Sequence, residues 1–282
     1  MRTYPLSPHS WGGVLSSMPV SIPGALEEAV DFLHNGTADT DAHLITSLCH
    51  IPTPENHPFT MAAHTLYHAA GPADGTPPTV FNRILANAAT APMANSCAAG
   101  RTPGSVTTEV GTSAPTGFRN HFISVTLLSP SLETVQELYA IFAAAFGPLI
   151  TIIPGLAACF NIIPLGALVK NQANVLGLES VAQSGKKVMI VHFAIMWMLA
   201  ADDERVEALA LQVMADCEAV AEREGVLGQW RYLPYAHWSQ EVIGRYGEKE
   251  VGKVRAVKET YDPEGVWGRL VKGGFKVPEK TA

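Results

Sequence analysis

Several things are missing from this 282-residue sequence, and each absence removes a class of function. Neither G-x-G-x-x-G nor G-x-x-x-x-G-K-[ST] occurs, so the chain offers no glycine-rich cradle for a nucleotide phosphate. G-x-S-x-G is absent too, which leaves a serine hydrolase without its nucleophile turn. The four cysteines, Cys49, Cys97, Cys159 and Cys217, show no C-x-x-C or other metal-like spacing. They are expected to be free, buried thiols. Charge is scarce at 16% of residues, and the 19 basic against 26 acidic side chains leave a net −7, a poor match to a phosphate backbone. A nucleic-acid partner is therefore not expected.

What is present is apolar. Hydrophobic residues make up 47% of the chain, which excludes intrinsic disorder and allows a large core. The most apolar stretch, Phe142 to Val169, is interrupted by Pro148, Pro154, Gly155, Pro164 and Gly166. These breakers predict strand and loop rather than a transmembrane helix. Met1-Arg2-Thr3-Tyr4-Pro5 lacks the pattern of a signal peptide, and the compartment stays open.

Periodicity predicts strands at 11–18, 43–50, 59–69, 122–128, 149–163 (broken at Pro154-Gly155) and 188–198, the last buried on both faces. Helices are expected at 25–33 with Ser21 as a cap, at 79–89, at 131–146 and at 202–224, with short ones at 240–245 and 248–258. Asp202, Asp203 and Glu204 suit the positive end of the 202–224 helix. The rest of 70–121 reads as loop. Irregular interleaving with many breakers predicts an α+β fold: a mostly antiparallel sheet with helices packed on one face.

The tail carries the most specific pattern. Tyr232-Leu233-Pro234-Tyr235 is followed by Tyr246-Gly247, Lys253-Val254-Arg255, Tyr261-Asp262-Pro263-Glu264-Gly265-Val266-Trp267 and Gly273-Gly274-Phe275. This resembles the C-terminus of berberine-bridge-enzyme-like, FAD-linked oxidoreductases. Trp11-Gly12-Gly13, Ala42-His43-Leu44, Asn174-Val175-Leu176-Gly177-Leu178 and Asp202-Asp203-Glu204-Arg205-Val206 fall in the same order as in that family. The resemblance implies a substrate-domain-like region over 1–228 and the family's C-terminal segment over 229–282. It implies that the flavin-binding domain is not in this sequence, either through truncation or because the short chain is genuine. No cofactor is then expected on this chain itself, and FAD only with an upstream domain. Where the family has Asn in Y-x-N-Y, Pro234 stands here. Proline has neither a backbone N–H nor an amide, so the contact expected there toward the flavin ring is lost.

The resemblance places Tyr232 and Tyr235 where a tyrosine orients substrate or, with a lowered pKa, acts as base; a packed aromatic explains them as well. Among the histidines, His64 and His68 are four apart on one strand and share a face, with Tyr67 on the other. His192 lies in the buried strand and His121 opens another. Together they are expected to line a cavity on the flavin-facing side, although a satisfied or exposed histidine is the plainer reading of each. Asn161, Asn171, Gln172 and Asn174 are candidates for holding a ligand carbonyl, or for capping turns. Trp197, with Met196 and Met198, forms core or pocket wall, and Glu109 and Glu241 are alternative bases. No metal site is expected.

Three readings follow. The chain belongs to an FAD-linked oxidoreductase of secondary metabolism acting on a small hydrophobic natural product. Or it is a flavin-independent cyclase or pericyclase using the same cavity. Or it is a non-catalytic remnant that dimerises through its exposed sheet face.

Overall fold

Alternation of small or apolar residues with polar ones makes β2 (Ala42–Pro52) and β3 (Pro58–His68) a hairpin, paired residue for residue from Ala42–His68 to Pro52–Pro58. This hairpin sits inside one antiparallel sheet in a computed structural model that describes residues 7–112, 115–166 and 177–278. The other elements, in chain order, are β1 (Trp11–Ser17), α1 (Ile22–His34), α2 (Asn82–Ala88), β4 (Pro92–Asn95), β5 (Ala98–Ala99) and α3 (Pro103–Thr112). Then come β6 (Arg119–Leu128), α4 (Leu132–Phe146), β7 (Ala157–Pro164), α5 (Glu179–Ser184), β8 (Val188–Trp197) and α6 (Asp203–Arg223). The tail holds β9 (Leu227–Gly228), α7 (Glu248–Tyr261) and α8 (Val266–Leu270). Strand order is β4-β1-β3-β2-β7-β8-β6-β9, with β5 also on β1, and every pairing is antiparallel.

Period-two geometry sorts side chains onto two faces. Leu48, Ala62, Ile123, Val125, Ala158, Phe160, Met189, Val191 and Phe193 point to one face, where they join Leu26, Leu33, Leu138, Phe142, Val213 and Cys217 from α1, α4 and α6. This is the main core, and the expected α+β layering holds. Each fully buried Leu or Phe there contributes on the order of 1.5–3 kcal/mol. The opposite face, called open below, is covered at one end by the tail. Trp230, Val242 and Tyr246 pack with Ile163, Val188 and Ile190 into a separate cluster. Buried Arg231 (1% exposed) ties that tail down. Its guanidinium donates to Glu218 of α6 at 2.6 Å and to the carbonyl of Gly228 at 2.8 Å.

Four expectations need correction. Cys49 and Cys159 form a disulfide, because β2 and β7 pair them directly with Cα atoms 4.1 Å apart. Cys97 and Cys217 are the free thiols among the described residues. The strand expected over 149–163 begins only at Ala157. Gly155 adopts φ +67°, and a Cβ there would lie 2.8 Å from the Phe118 ring, so the chain turns where a strand would have continued. Ser21 does occupy the N-cap of α1, but its hydroxyl is turned to Ser17 (2.6 Å) and to the Met18 carbonyl (2.8 Å) instead of capping. Finally, 103–112 is helical, held by the Arg101–Glu109 ion pair and by Thr102–Ser105 bonds at its start. No helix among the described residues is long and apolar enough to cross a membrane. Asn171, Gln172 and Asn174 lie outside the described residues.

Candidate active site on the open sheet face

Register builds the site. Ser16, Ala63, Ser47, Asn161, His192 and Ser124 are mutual cross-strand partners and form one line over the open face of β1, β3, β2, β7, β8 and β6. The Ser47 hydroxyl donates to Asn161 Oδ1 at 2.6 Å. The Asn161 amide donates to the carbonyls of Cys159 (3.2 Å) and His192 (3.3 Å), which fixes its orientation. Asn161 is therefore a sheet-bound group with both amide ends occupied.

His192 is different. It is buried, and neither ring nitrogen finds a hydrogen-bond partner among the described residues. Its ring stacks on Tyr235 with centroids 4.2 Å apart and planes at 9°, and meets Phe122 edge-on at 5.3 Å. Burial holds its pKa down to about 4, so the imidazole is neutral at pH 7, with one donor and one acceptor nitrogen. Tyr235 belongs to a strap, a 3₁₀ turn at Leu233–Tyr235, and Tyr232 packs against it at 5.1 Å. Burial, then the neighbouring Tyr232, raises the Tyr235 phenol above its ordinary value. A raised phenol does not favour the base role among the roles expected of it and leaves those of substrate-orienting group or packed aromatic. Gln240 pins the end of the strap. Its side-chain amide accepts from the Ser124 N–H (3.2 Å) and donates to the Ser124 carbonyl (2.7 Å), as a neighbouring strand would.

The remaining histidines do not join this group. His64 and His68 share a face as expected, but it is the helix-covered one, with Ala62 and Leu66. His64 Nδ1 meets the Thr46 hydroxyl at 3.1 Å, and burial takes its pKa down to about 4. His68 Nε2 lies 3.0 Å from Asp39. Both are separated from His192 by the sheet itself. Tyr67 does face the open side, half-buried, with its hydroxyl unpartnered among the described residues. His121 has the parity of Ile123 and Val125, so it leaves β6 on the side opposite His192 and stacks on His237 at 4.3 Å. Trp197 also leaves on the helix side and donates from Nε1 to Asp203 at 2.8 Å. Glu109 is paired to Arg101, and Glu241 is exposed and accepts the Gly244 N–H on one oxygen. Ser47 and Ser124 were missed in the sequence. Only the register singles them out, and it pairs residues more than 60 positions apart.

The whole chain can now be set beside known folds. The structure superposes on a glycopeptide hexose oxidase complexed with teicoplanin with TM-score 0.60, at 13% identity, over 93% of this chain and 54% of that one. It superposes on a variant of berberine bridge enzyme with TM-score 0.52, at 9% identity, over 95% of this chain and 53% of that one. The fold is that of the berberine-bridge-enzyme-like oxidases. Sequence comparison adds the FAD-dependent monooxygenase drtC of Aspergillus calidoustus, 35% identical over 108 residues, which is 38% of this chain and 20% of that protein. No protein-family model matches. The chain thus spans about half the length of these solved structures and a fifth of drtC.

The fit to a flavin is divided. On the open-face side, Tyr67 Oη and both nitrogens of His192 are buried without hydrogen-bond partners among the described residues, and such groups suit the polar edge of a flat heterocycle. No glycine-rich phosphate cradle occurs in the sequence. These residues fit the ring-facing side of such a cofactor and not its pyrophosphate. Among the described residues no group of three or more His, Cys, Asp or Glu is placed to hold a metal ion.

Proposed function

We propose that this chain is the substrate-side part of an FAD-linked oxidoreductase of secondary metabolism that acts on a small hydrophobic natural product. The observation that carries the reading is His192, a neutral, buried imidazole with both nitrogens unpartnered among the described residues, on the open face of a sheet with this oxidase fold. A buried polar group without a partner costs about 1–3 kcal/mol, and a ligand hydrogen bond recovers that cost. A flavin, where bound, supplies a hydride acceptor.

This chain's own residues do the rest. His192 accepts the hydrogen bond of a substrate hydroxyl or amine and orients the carbon that bears it. Tyr235 donates from its protonated phenol and, by stacking on His192, excludes water from that contact. Half-buried Met61, Ala63, Ala194 and Met196 on the same face provide an apolar floor. Burial keeps His192 a weak base, so it positions the substrate and holds a proton only transiently.

The test uses the longest natural chain that contains these residues. Its flavin absorbance is followed anaerobically during titration with a panel of hydrophobic alcohols and amines. Bleaching by one of them, lost in His192→Phe, supports the reading. Absence of flavin absorbance in the purified protein would overturn it. Pro234, with no N–H to offer at the strap, favours a second reading, flavin-independent cyclisation on the same face. Conversion of a polyene precursor by the flavin-free protein tests that.

A further inference from the structure

A concavity lies where β6 begins and β8 ends, beside the strap. Its volume is about 640 Å³, and its walls include Phe118, Trp197, Met198, Glu207, His237 and Trp238. It borders the His192 site, since Phe122 lines it and also meets His192 edge-on, but His192 itself is not in its wall and the chemistry differs. His121, which contributes to it, leaves β6 on the helix side, while His192 lies on the open face.

The charges of this cavity do not cancel. Arg119 is spoken for: two of its guanidinium nitrogens grip the Asp203 carboxylate, which also accepts from the Trp197 indole. That trio carries no net charge. Glu207 has one polar partner among the described residues, His237, whose Nε2 lies 3.5 Å away. The Ser239 N–H donates to His237 Nδ1 at 3.3 Å, so Nδ1 is an acceptor and the ring proton sits on Nε2, facing Glu207. His237 is therefore a neutral donor. Burial and the neighbouring His237 hold His121 neutral as well, with its pKa down to about 4 and its Nε2 unpartnered. One carboxylate charge remains, and one of its oxygens is free.

The same cavity carries an exposed aromatic surface, joined to Glu207 through His237. Trp238 is 76% exposed, although Trp197 in the same wall is buried. It continues a column of rings, with His237 at 5.1 Å and His121 4.3 Å beyond. A carboxylate with a spare oxygen in one cavity with an exposed indole is the combination that binds an ammonium group carried on a flat apolar body.

We propose that this cavity is a binding site for an aromatic amine, with the ammonium on Glu207 and the ring against Trp238. The site needs no flavin and does not depend on the His192 reading.

Calorimetric titration of the full chain at neutral pH tests it, with 2-phenylethylammonium as probe and 2-phenylethanol as its uncharged counterpart. The amine is expected to bind saturably and roughly tenfold or more tightly than the alcohol, as a charge-assisted contact requires. Glu207→Gln is expected to bring the amine down to the level of the alcohol. Trp238→Ala is expected to weaken both. Equal binding of amine and alcohol, unchanged amine binding by Glu207→Gln, or no saturable heat would each overturn the proposal. Should a variant lose stability, the amine–alcohol comparison in the unaltered chain decides alone.

Discussion

The imidazole of His192 and the phenol of Tyr235 lie face to face, 4.2 Å apart and within 9° of parallel, although they come from a central strand and a tail turn 43 positions later. The stack covers His192, and its two imidazole nitrogens are without partners among the described residues.

Replacing His192 by Phe keeps an aromatic under Tyr235 and removes the two unpartnered nitrogens. Stability is expected to rise by about 1–3 kcal/mol, a few degrees in Tm, because a desolvated polar group is deleted without opening a cavity. Activity is expected to vanish in the same variant. Thermal melts beside turnover assays check this, and a lower Tm would contradict it.

Tyr235→Ala removes the ring that desolvates His192. The His192 pKa is expected to climb from about 4 toward the ordinary histidine value, read from its ring-proton shifts in an NMR titration. Tyr235→Phe, which keeps the stack, should leave it near 4.

Acid should destabilise the fold between about pH 6.5 and 4. His64, His121 and His192 each have a folded pKa of about 4, so over this window the unfolded chain binds protons that the folded chain refuses. Each contributes at most about 1.4 kcal/mol per pH unit, and the loss levels off below pH 4. Glu28 acts in the opposite sense. Burial raises its folded pKa to about 7, so its contribution is present below the ordinary carboxylate value and lost as pH rises through 7. Three groups against one make the net slope downward on acidification. Chemical denaturation across this range measures it, and His192→Phe should flatten the curve by about half.

The Cys49–Cys159 bridge closes a loop of 110 residues. Under denaturing, non-reducing conditions the chain should titrate two thiols, Cys97 and Cys217, and four after reduction. Cys49→Ala/Cys159→Ala is expected to lose roughly 2–4 kcal/mol of stability.

Arg231→Met cuts the anchor between tail and α6. It strands Glu218 half-exposed and leaves the Gly228 carbonyl unpaired, a loss of about 3 kcal/mol for a buried, hydrogen-bonded ion pair. Because the tail carries Tyr235, the same variant should raise KM more than it lowers kcat, which steady-state kinetics would show.

The helices and long strands were legible because their signals are local. Val135, Leu138 and Phe142 mark one face of α4, and β8 reads as a continuous apolar run. The faces were not legible. His64 and His68 flank Leu66, while Tyr67 and Met61 make the other side of β3 apolar too, so alternation alone did not say which side the helices cover. The pairings were less legible still. Ser47 meets Asn161, and Cys49 meets Cys159, through a register set by strand order, and these partners stand more than 100 positions apart. α3 escaped notice because Gly, Ser and Thr dominate it, and its ion pair with Arg101 compensates for weak propensity. The tail motif pointed to the right fold, since Tyr235 does sit over the sheet. It could not show that burial keeps the Tyr235 phenol protonated.

The Gln240 carboxamide has a use beyond steadying the strap. β9 shields only Thr126 and Leu127 of the outermost long strand, and an unprotected border of that kind invites edge-to-edge polymerisation between molecules. By taking up the N–H and C=O of Ser124, Gln240 stops a foreign strand from adding there, so a single side chain guards the sheet against fibril growth on that side.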